Sequence, residues 1–189
     1  MALSETLTET NICNQALGRI GANQIKNVET DTTVPAIQCR LHYEQTRDAL
    51  LRSYSWRFAS GRATLDDGDT PDFEWSNAFT LPTDFMAIKS IYEGRFSSTN
   101  FRNYAIEGDE ILTNETTMEI RYVKKVTDVL EFDPLFVKVL ILLLADVLIG
   151  PLTGGDARIQ KKIDDALDEL MPSVRALDGQ ETNTAGRFE

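Results

Sequence analysis

The chain has 189 residues, 42% of them hydrophobic and 26% charged, which suits one domain, or one with a large insertion, and excludes a disordered or collagen-like chain. Thirty acids stand against nineteen bases, a formal net charge of −11, and that sign argues against sequence-blind binding to a phosphate backbone. Two cysteines, Cys13 and Cys39, exclude a disulfide framework, show no metal-ligand spacing, and read as buried reduced thiols.

The N-terminus, MALSETLTETN, has neither a basic region nor an apolar run and does not read as a secretory signal. The first predicted helix covers Thr8 to Ile20. Ile12, Ala16, Leu17 and Ile20 recur at helical spacing, Thr6 or Thr8 supplies a cap, and Gly21 is placed to end it. A polar loop, Ala22 to Asp31, precedes a second helix that starts at Thr32 or Thr33, tolerates Pro35 in its first turn and runs to about Tyr54. Val34, Ile37, Leu41 and Leu51 mark its apolar side.

From Arg57 the period changes to two. Ala59, Gly61, Ala63 and Leu65 alternate with Phe58, Ser60, Arg62 and Thr64, which is strand spacing. Asp66 to Asp72 is a turn-rich loop. Ala78 to Gly94 reads as two strands broken at Pro82, the second around Met86 to Tyr92. Asn103 to Ile106 and Glu110 to Thr113 form a hairpin around Glu107-Gly108-Asp109, and Met118 to Val123 gives the last strand. The middle third is thus a small, mostly antiparallel sheet.

Asp133 and Pro134 open a third helix as cap and first residue, and Gly150-Pro151 closes it. Its apolar run, Leu135 to Ile149, is shorter than the roughly 18 to 20 residues a membrane span needs, so it reads as a core helix. A fourth helix covers about Asp156 to Leu177, with Ile159, Ile163, Ala166, Leu167 and Leu170 on one face and Pro172 expected to kink or shorten it. The tail, Asp178 to Glu189, is polar and aperiodic, and is expected to be flexible. The expected fold is α+β: a four-helix bundle from residues 1–56 and 130–177, a small antiparallel sheet inserted at 57–129 between the second and third helices, and an extended tail at 178–189.

A catalytic site is hard to assemble. The single histidine, His42, sits mid-helix, and no serine lies in a G-x-S-x-G setting. Asp66, Asp67, Asp69 and Asp72 could hold calcium, but they lack the alternation and closing glutamate of an EF-hand and read as a solvated turn. Glu107, Asp109 and Glu110 could be a glycosidase-like carboxylate group, but they fall on a hairpin tip. Gly154-Gly155-Asp156 is followed by no Lys-Ser/Thr and reads as a capped helix connection rather than a phosphate loop. Asn114-Glu115-Thr116 matches a glycosylation sequon without an export signal to make it relevant.

The stretch LLRSYSWRFASGRATL, Leu50 to Leu65, interleaves Tyr54, Trp56 and Phe58 with Arg52, Arg57 and Arg62. That composition suits a single-stranded nucleic-acid platform. It equally suits aromatics filling a junction between helices and sheet, or a protein interface. Packing at the structural junction formed by Tyr54, Trp56 and Phe58 is the expected role.

Five blocks then stand in a familiar order: ICNQALGRIG; a helix holding Cys39 and Tyr43 that leads into RDALLRSYSWRFASGRATL; AFTLPTDFMAIKSIY; YAIEGDEILTN; and FDPLFVKVLILLLADVL. Together they resemble the tail tubular protein A family of tailed bacteriophages, over roughly Thr8 to Leu177. Ser55 stands where the family's aromatic block has proline, and the tail matches least. The resemblance implies a structural head-to-tail adaptor, not an enzyme, with no cofactor and no metal. It implies a homo-oligomeric ring, commonly a dodecamer, between the portal protein and the tail nozzle or tail tube. DNA would pass through the lumen without specific binding, and no membrane is involved. The protein would be made in the host cytoplasm and reside in the virion neck. On this reading Asp178, Gly179, Gln180, Arg187, Phe188 and Glu189 belong to a partner-binding clasp on the portal. The competing expectations are a glycan-degrading virion enzyme using the carboxylates near Asp109 and a small DNA-binding module.

Overall fold

The computed structural model describes residues 7–93, 96–98 and 103–182. The chain divides into two compact units, Met1–Phe58 with Val126–Glu189, and Ala59–Lys125.

The first unit is helical. Helix α1 (Glu9–Arg19) begins where the Thr8 hydroxyl accepts the Asn11 N–H at 3.1 Å, and the chain leaves it through Gly21 at φ +74°. The following loop is pinned from both sides. The Asn14 amide bonds both the N–H and the carbonyl of Ile25, Thr10 Oγ1 accepts from the Val28 N–H, and the Arg40 guanidinium donates to the carbonyls of Val28 and Glu29. Ile25 and Val28 are buried as a result. Asp31 accepts from the N–H groups of Thr33 and Lys26, and those two bonds hold its carboxyl below the usual range. Helix α2 (Val34–Ser53) follows, with proline in its first turn.

Helix α3 (Pro134–Thr153) starts at Asp133, whose carboxylate accepts the Leu135 N–H at 2.7 Å. It ends at Gly154, which is left-handed at φ +69° and donates its N–H to the Ile149 carbonyl. The close expected at Gly150-Pro151 does not occur there: Pro151 lies inside α3. Losing one backbone hydrogen bond is outweighed where the neighbouring Leu148 and Ile149 are buried. With twenty residues and a mean hydropathy of 2.4, α3 is long and apolar enough to cross a membrane by length and composition. Brevity therefore gives no argument against a span, and burial of Phe136, Val139, Leu140, Leu144, Ala145 and Leu148 gives one for a core helix. Helix α4 (Ala157–Thr182) opens at Asp156, whose carboxylate accepts the Arg158 N–H at 2.8 Å.

The second unit is all β. Its strands are β1 (Ser60–Thr64), β2 (Asp66–Asp67), β3 (Asn77–Thr80), β4 (Phe85–Glu93), β5 (Phe96–Ser98), β6 (Tyr104–Glu107), β7 (Glu110–Thr113) and β8 (Glu119–Lys124). They form two antiparallel four-stranded sheets, β1-β8-β4-β5 and β2-β3-β7-β6. The chain changes sheet at Leu65, between β1 and β2, while the Leu65 N–H still bonds the Met118 carbonyl beside β8. Leu65, Phe79, Leu81, Ile91, Ile111, Met118, Ile120 and Tyr122 from both sheets close one shared core. Strand β4 meets β8 with register shifts between Phe85 and Ala87 and between Ile88 and Ser90.

This architecture corrects the expected fold. There is not one small inserted sheet but two sheets, because Phe79 and Ile111 of one and Ile91 and Ile120 of the other are large apolar residues that each need an opposing layer. Nor do the helices close as a four-helix bundle. Helix α3 carries apolar residues all round, so α1, α2 and α4 each pack against it as a hub. The flexible tail is also corrected at its start: α4 continues past Pro172 and past Leu177 to Thr182, so Asp178, Gly179 and Gln180 are helical.

Candidate functional site

The aromatic stretch lies where the chain leaves α2. The Trp56 indole N–H donates to the Leu50 carbonyl at 3.0 Å, satisfying an acceptor in the last turn of the helix. The Trp56 and Phe136 rings meet edge to face at 5.1 Å, and Phe58 approaches Phe136 at 5.1 Å and Phe132 at 5.9 Å. Tyr54 stacks edgewise on Trp56 at 6.0 Å. Trp56, Phe132 and Phe136 are buried. These rings belong to the helical unit and tie the exit of α2 to the start of α3. A base-stacking platform needs open ring faces; the Trp56 ring is only 8% exposed and is committed to its neighbours. Arg52, Arg57 and Arg62 are exposed.

Inside α2 lies a polar strip. Tyr43 and Arg47 are 2% exposed. The Arg47 Nε donates to Asp48 Oδ1 at 2.8 Å, whereas among the described residues its Nη2 and the Tyr43 hydroxyl have no hydrogen-bond partner. Burial pushes the Tyr43 hydroxyl well above the ordinary phenol range and raises the Glu9 carboxyl, the latter against the pull of Arg47. Cys13 and Cys39, both fully buried, face each other; their mutual hydrogen bond, with burial, pushes the Cys13 thiol up.

The acidic candidates do not converge. Among the described residues no three His, Cys, Asp or Glu side chains are grouped to hold a metal ion. Glu107 and Glu110 pair across the β6–β7 turn, which passes through Gly108 at φ +61°. Glu110 Oε1 accepts the Asp69 N–H at 2.9 Å and so ties the acidic loop to β7. A carboxylate spent on holding a loop is poorly placed as a general acid or nucleophile. His42 lies in the middle of α2, and its carbonyl accepts from Thr46 Oγ1. Of the expected clasp, Asp178, Gly179 and Gln180 lie in the last turns of α4, and Arg187, Phe188 and Glu189 lie outside the described residues.

Two surfaces were not anticipated as sites. On α2, Val34, Ile37 and Leu41 are 60%, 43% and 58% exposed. The buried face is instead Ala36, Cys39, Tyr43, Arg47, Leu50 and Leu51. The spacing of Val34, Ile37 and Leu41 was visible in the sequence, but it marks an outer stripe rather than the core. Elsewhere in the unit, α1, α3 and α4 border a groove of about 480 Å3. Ile141, Leu142 and Leu170 give it an apolar floor, with Arg19, Lys138 and Glu169 at its rim.

No protein-family model matches this chain, and no curated protein matches it.

Proposed function

We propose that this chain is a structural head-to-tail adaptor of a tailed bacteriophage, forming a ring between the portal protein and the tail nozzle or tube. The observation that carries the reading is the wet apolar stripe of Val34, Ile37 and Leu41 on one face of α2. Leaving three large aliphatic side chains of one helix face about half exposed forgoes roughly half of the 1.5–3 kcal/mol that full burial of each would give, and a subunit of an assembly recovers this when it is covered. The ordered sequence blocks supply the identity of the assembly. The separate all-β unit offers further surface for the partners above and below the ring. An acidic lumen would keep passing DNA from adhering, given the −11 charge of each copy.

The test is to mix the purified chain with the portal protein of its phage and image the particles by electron microscopy. Coaxial rings docked on the portal are the expected result, and their copy number is counted directly. Folded chain and intact portal that do not associate would remove the adaptor reading. A lumen lined with lysine and arginine would remove the proposed role of the charge alone.

A further inference from the structure

We propose that Cys13 and Cys39 are a reversible redox latch, in which a disulfide formed by exchange with a small-molecule disulfide ties α1 to α2. Both thiols are free and both are fully buried, on the inward faces of their helices. They lie across the α1–α2 seam within hydrogen-bonding reach of each other. Glu9 precedes Cys13 by one turn on α1, and Tyr43 and Arg47 follow Cys39 by one and two turns on α2. The pair therefore sits in the polar strip, which the adaptor reading leaves without a role. A single buried thiol is inert, whereas two in contact need little movement to be joined.

The order of the chemistry follows from the same contact. Cys13 donates its S–H to Cys39, and that bond holds the Cys39 thiol below its ordinary value, so Cys39 attacks first. Its thiolate displaces one thiolate from the small disulfide and becomes a mixed disulfide. Cys13 then gives up its proton and attacks the Cys39 sulfur, releasing the second small thiol. In all, the two cysteines lose two electrons and two protons, and the small disulfide leaves as two thiols.

The seam is where such a link has the most to add. Helices α1 and α2 each pack on α3 and touch each other far less. A bond between them closes the chain from Cys13 to Cys39 into a ring, which restricts the unfolded chain more than the folded one. Because both sulfurs are buried, exchange waits for the lightly packed seam to open and is slow. On the adaptor reading the subunit is made in a reducing cytoplasm and leaves it in a particle, so the latch closes after release. Only that timing rests on the adaptor reading.

The test is to equilibrate the full chain with mixtures of glutathione and glutathione disulfide, once in buffer and once in high urea, and to read the products by intact mass after alkylation. Each equilibrium is approached from the reduced chain and from chain oxidised in urea and then refolded, so that burial cannot hide the answer. The Cys13–Cys39 bond is expected to be favoured at least about tenfold more in the folded chain than in urea, with a higher urea midpoint that dithiothreitol reverses. Cys13→Ala is expected to stop at a glutathione mixed disulfide on Cys39, and Cys39→Ala to react at least about tenfold more slowly than Cys13→Ala. A bond no more favoured in the folded chain than in urea would show that the fold does not hold the thiols in register and would overturn the proposal. So would a lower midpoint for the oxidised chain, or glutathione retained on both cysteines. Equal reaction of the two alanine variants would overturn the assigned order. The assay contains no portal, so each of these results leaves the adaptor reading to its own test.

Discussion

Gly61 of β1 and Tyr122 of β8 are direct cross-strand partners, and a Cβ at Gly61 would lie 2.6 Å from the Tyr122 ring. The ring therefore lies over the glycine, and it cannot swing away freely. Its hydroxyl donates to Asp84 Oδ1 at 2.9 Å, and Phe85 packs against it at 6.0 Å. Gly61→Ala should destabilise the chain by about 1–3 kcal/mol through overpacking. Urea unfolding checks this; a change below a few tenths would mean that the ring has room to move.

The same tyrosine predicts a response to alkali. Burial, and then the hydrogen bond to Asp84, push the Tyr122 hydroxyl up to about 12 from an ordinary value of 10.0. The folded chain therefore favours the protonated phenol. The stability this supplies is fully present below pH 10 and is lost as pH rises through the folded value near 12. Titrating tyrosinate absorbance in the native chain and in Tyr122→Phe should show one late-titrating phenol missing from the variant. If the two curves differ near pH 10 instead, Tyr122 is an ordinary exposed phenol.

Trp56 serves as both filler and cap. Trp56→Ala should cost about 3–5 kcal/mol, because the ring is buried against Phe136. Trp56→Phe keeps an aromatic in the gap and loses the bond to the Leu50 carbonyl, so about 1–2 kcal/mol should go. Denaturant midpoints of the two variants should fall in that order. A loss below about 1 kcal/mol for alanine would place the ring at the surface and reopen the base-stacking reading.

The sequence was readable where local signals and burial agree. Thr8 and Asp133 cap α1 and α3 through side-chain bonds that their residue types announce, and Gly108 turns a two-residue hairpin. It was misleading where they disagree. On α2 the aliphatic residues Val34, Ile37 and Leu41 are wet while Tyr43 and Arg47 are buried, so periodicity pointed to the wrong face. Periodicity reports which side is apolar, and an exposed apolar side looks the same in sequence as a core. The second sheet was hidden for a different reason. Alternation shows that Ala78–Thr80 and Glu110–Thr113 are strands, but their pairing joins residues some thirty positions apart, which no local pattern encodes. The end of α4 was missed because its last turns are polar and show no apolar period, and Pro172 lies inside the helix rather than ending it. The groove could not be read at all, since it exists only where three helices meet.

The buried polar strip of α2 gives the last prediction. A buried guanidinium that bonds Asp48 through Nε and whose Nη2 has no hydrogen-bond partner among the described residues contributes little net stability, because its desolvation offsets the attraction to Asp48. Replacing the whole charge with an apolar side chain of similar length should therefore be mild: Arg47→Met is expected within about 1 kcal/mol of the native chain, or more stable. Removing only the partner should be harsher. Asp48→Ala leaves a charge that is 2% exposed without the carboxylate bonded to its Nε, and about 3 kcal/mol or more should be lost. Tyr43→Phe removes a buried hydroxyl that has no partner and should leave stability unchanged or raise it. The order Asp48→Ala far below Tyr43→Phe and Arg47→Met, read from urea midpoints of the three variants, is the signature of a polar strip that is not there for stability. If Arg47→Met instead unfolds the chain, the guanidinium holds α2 against its neighbours through its stem, and the strip is structural.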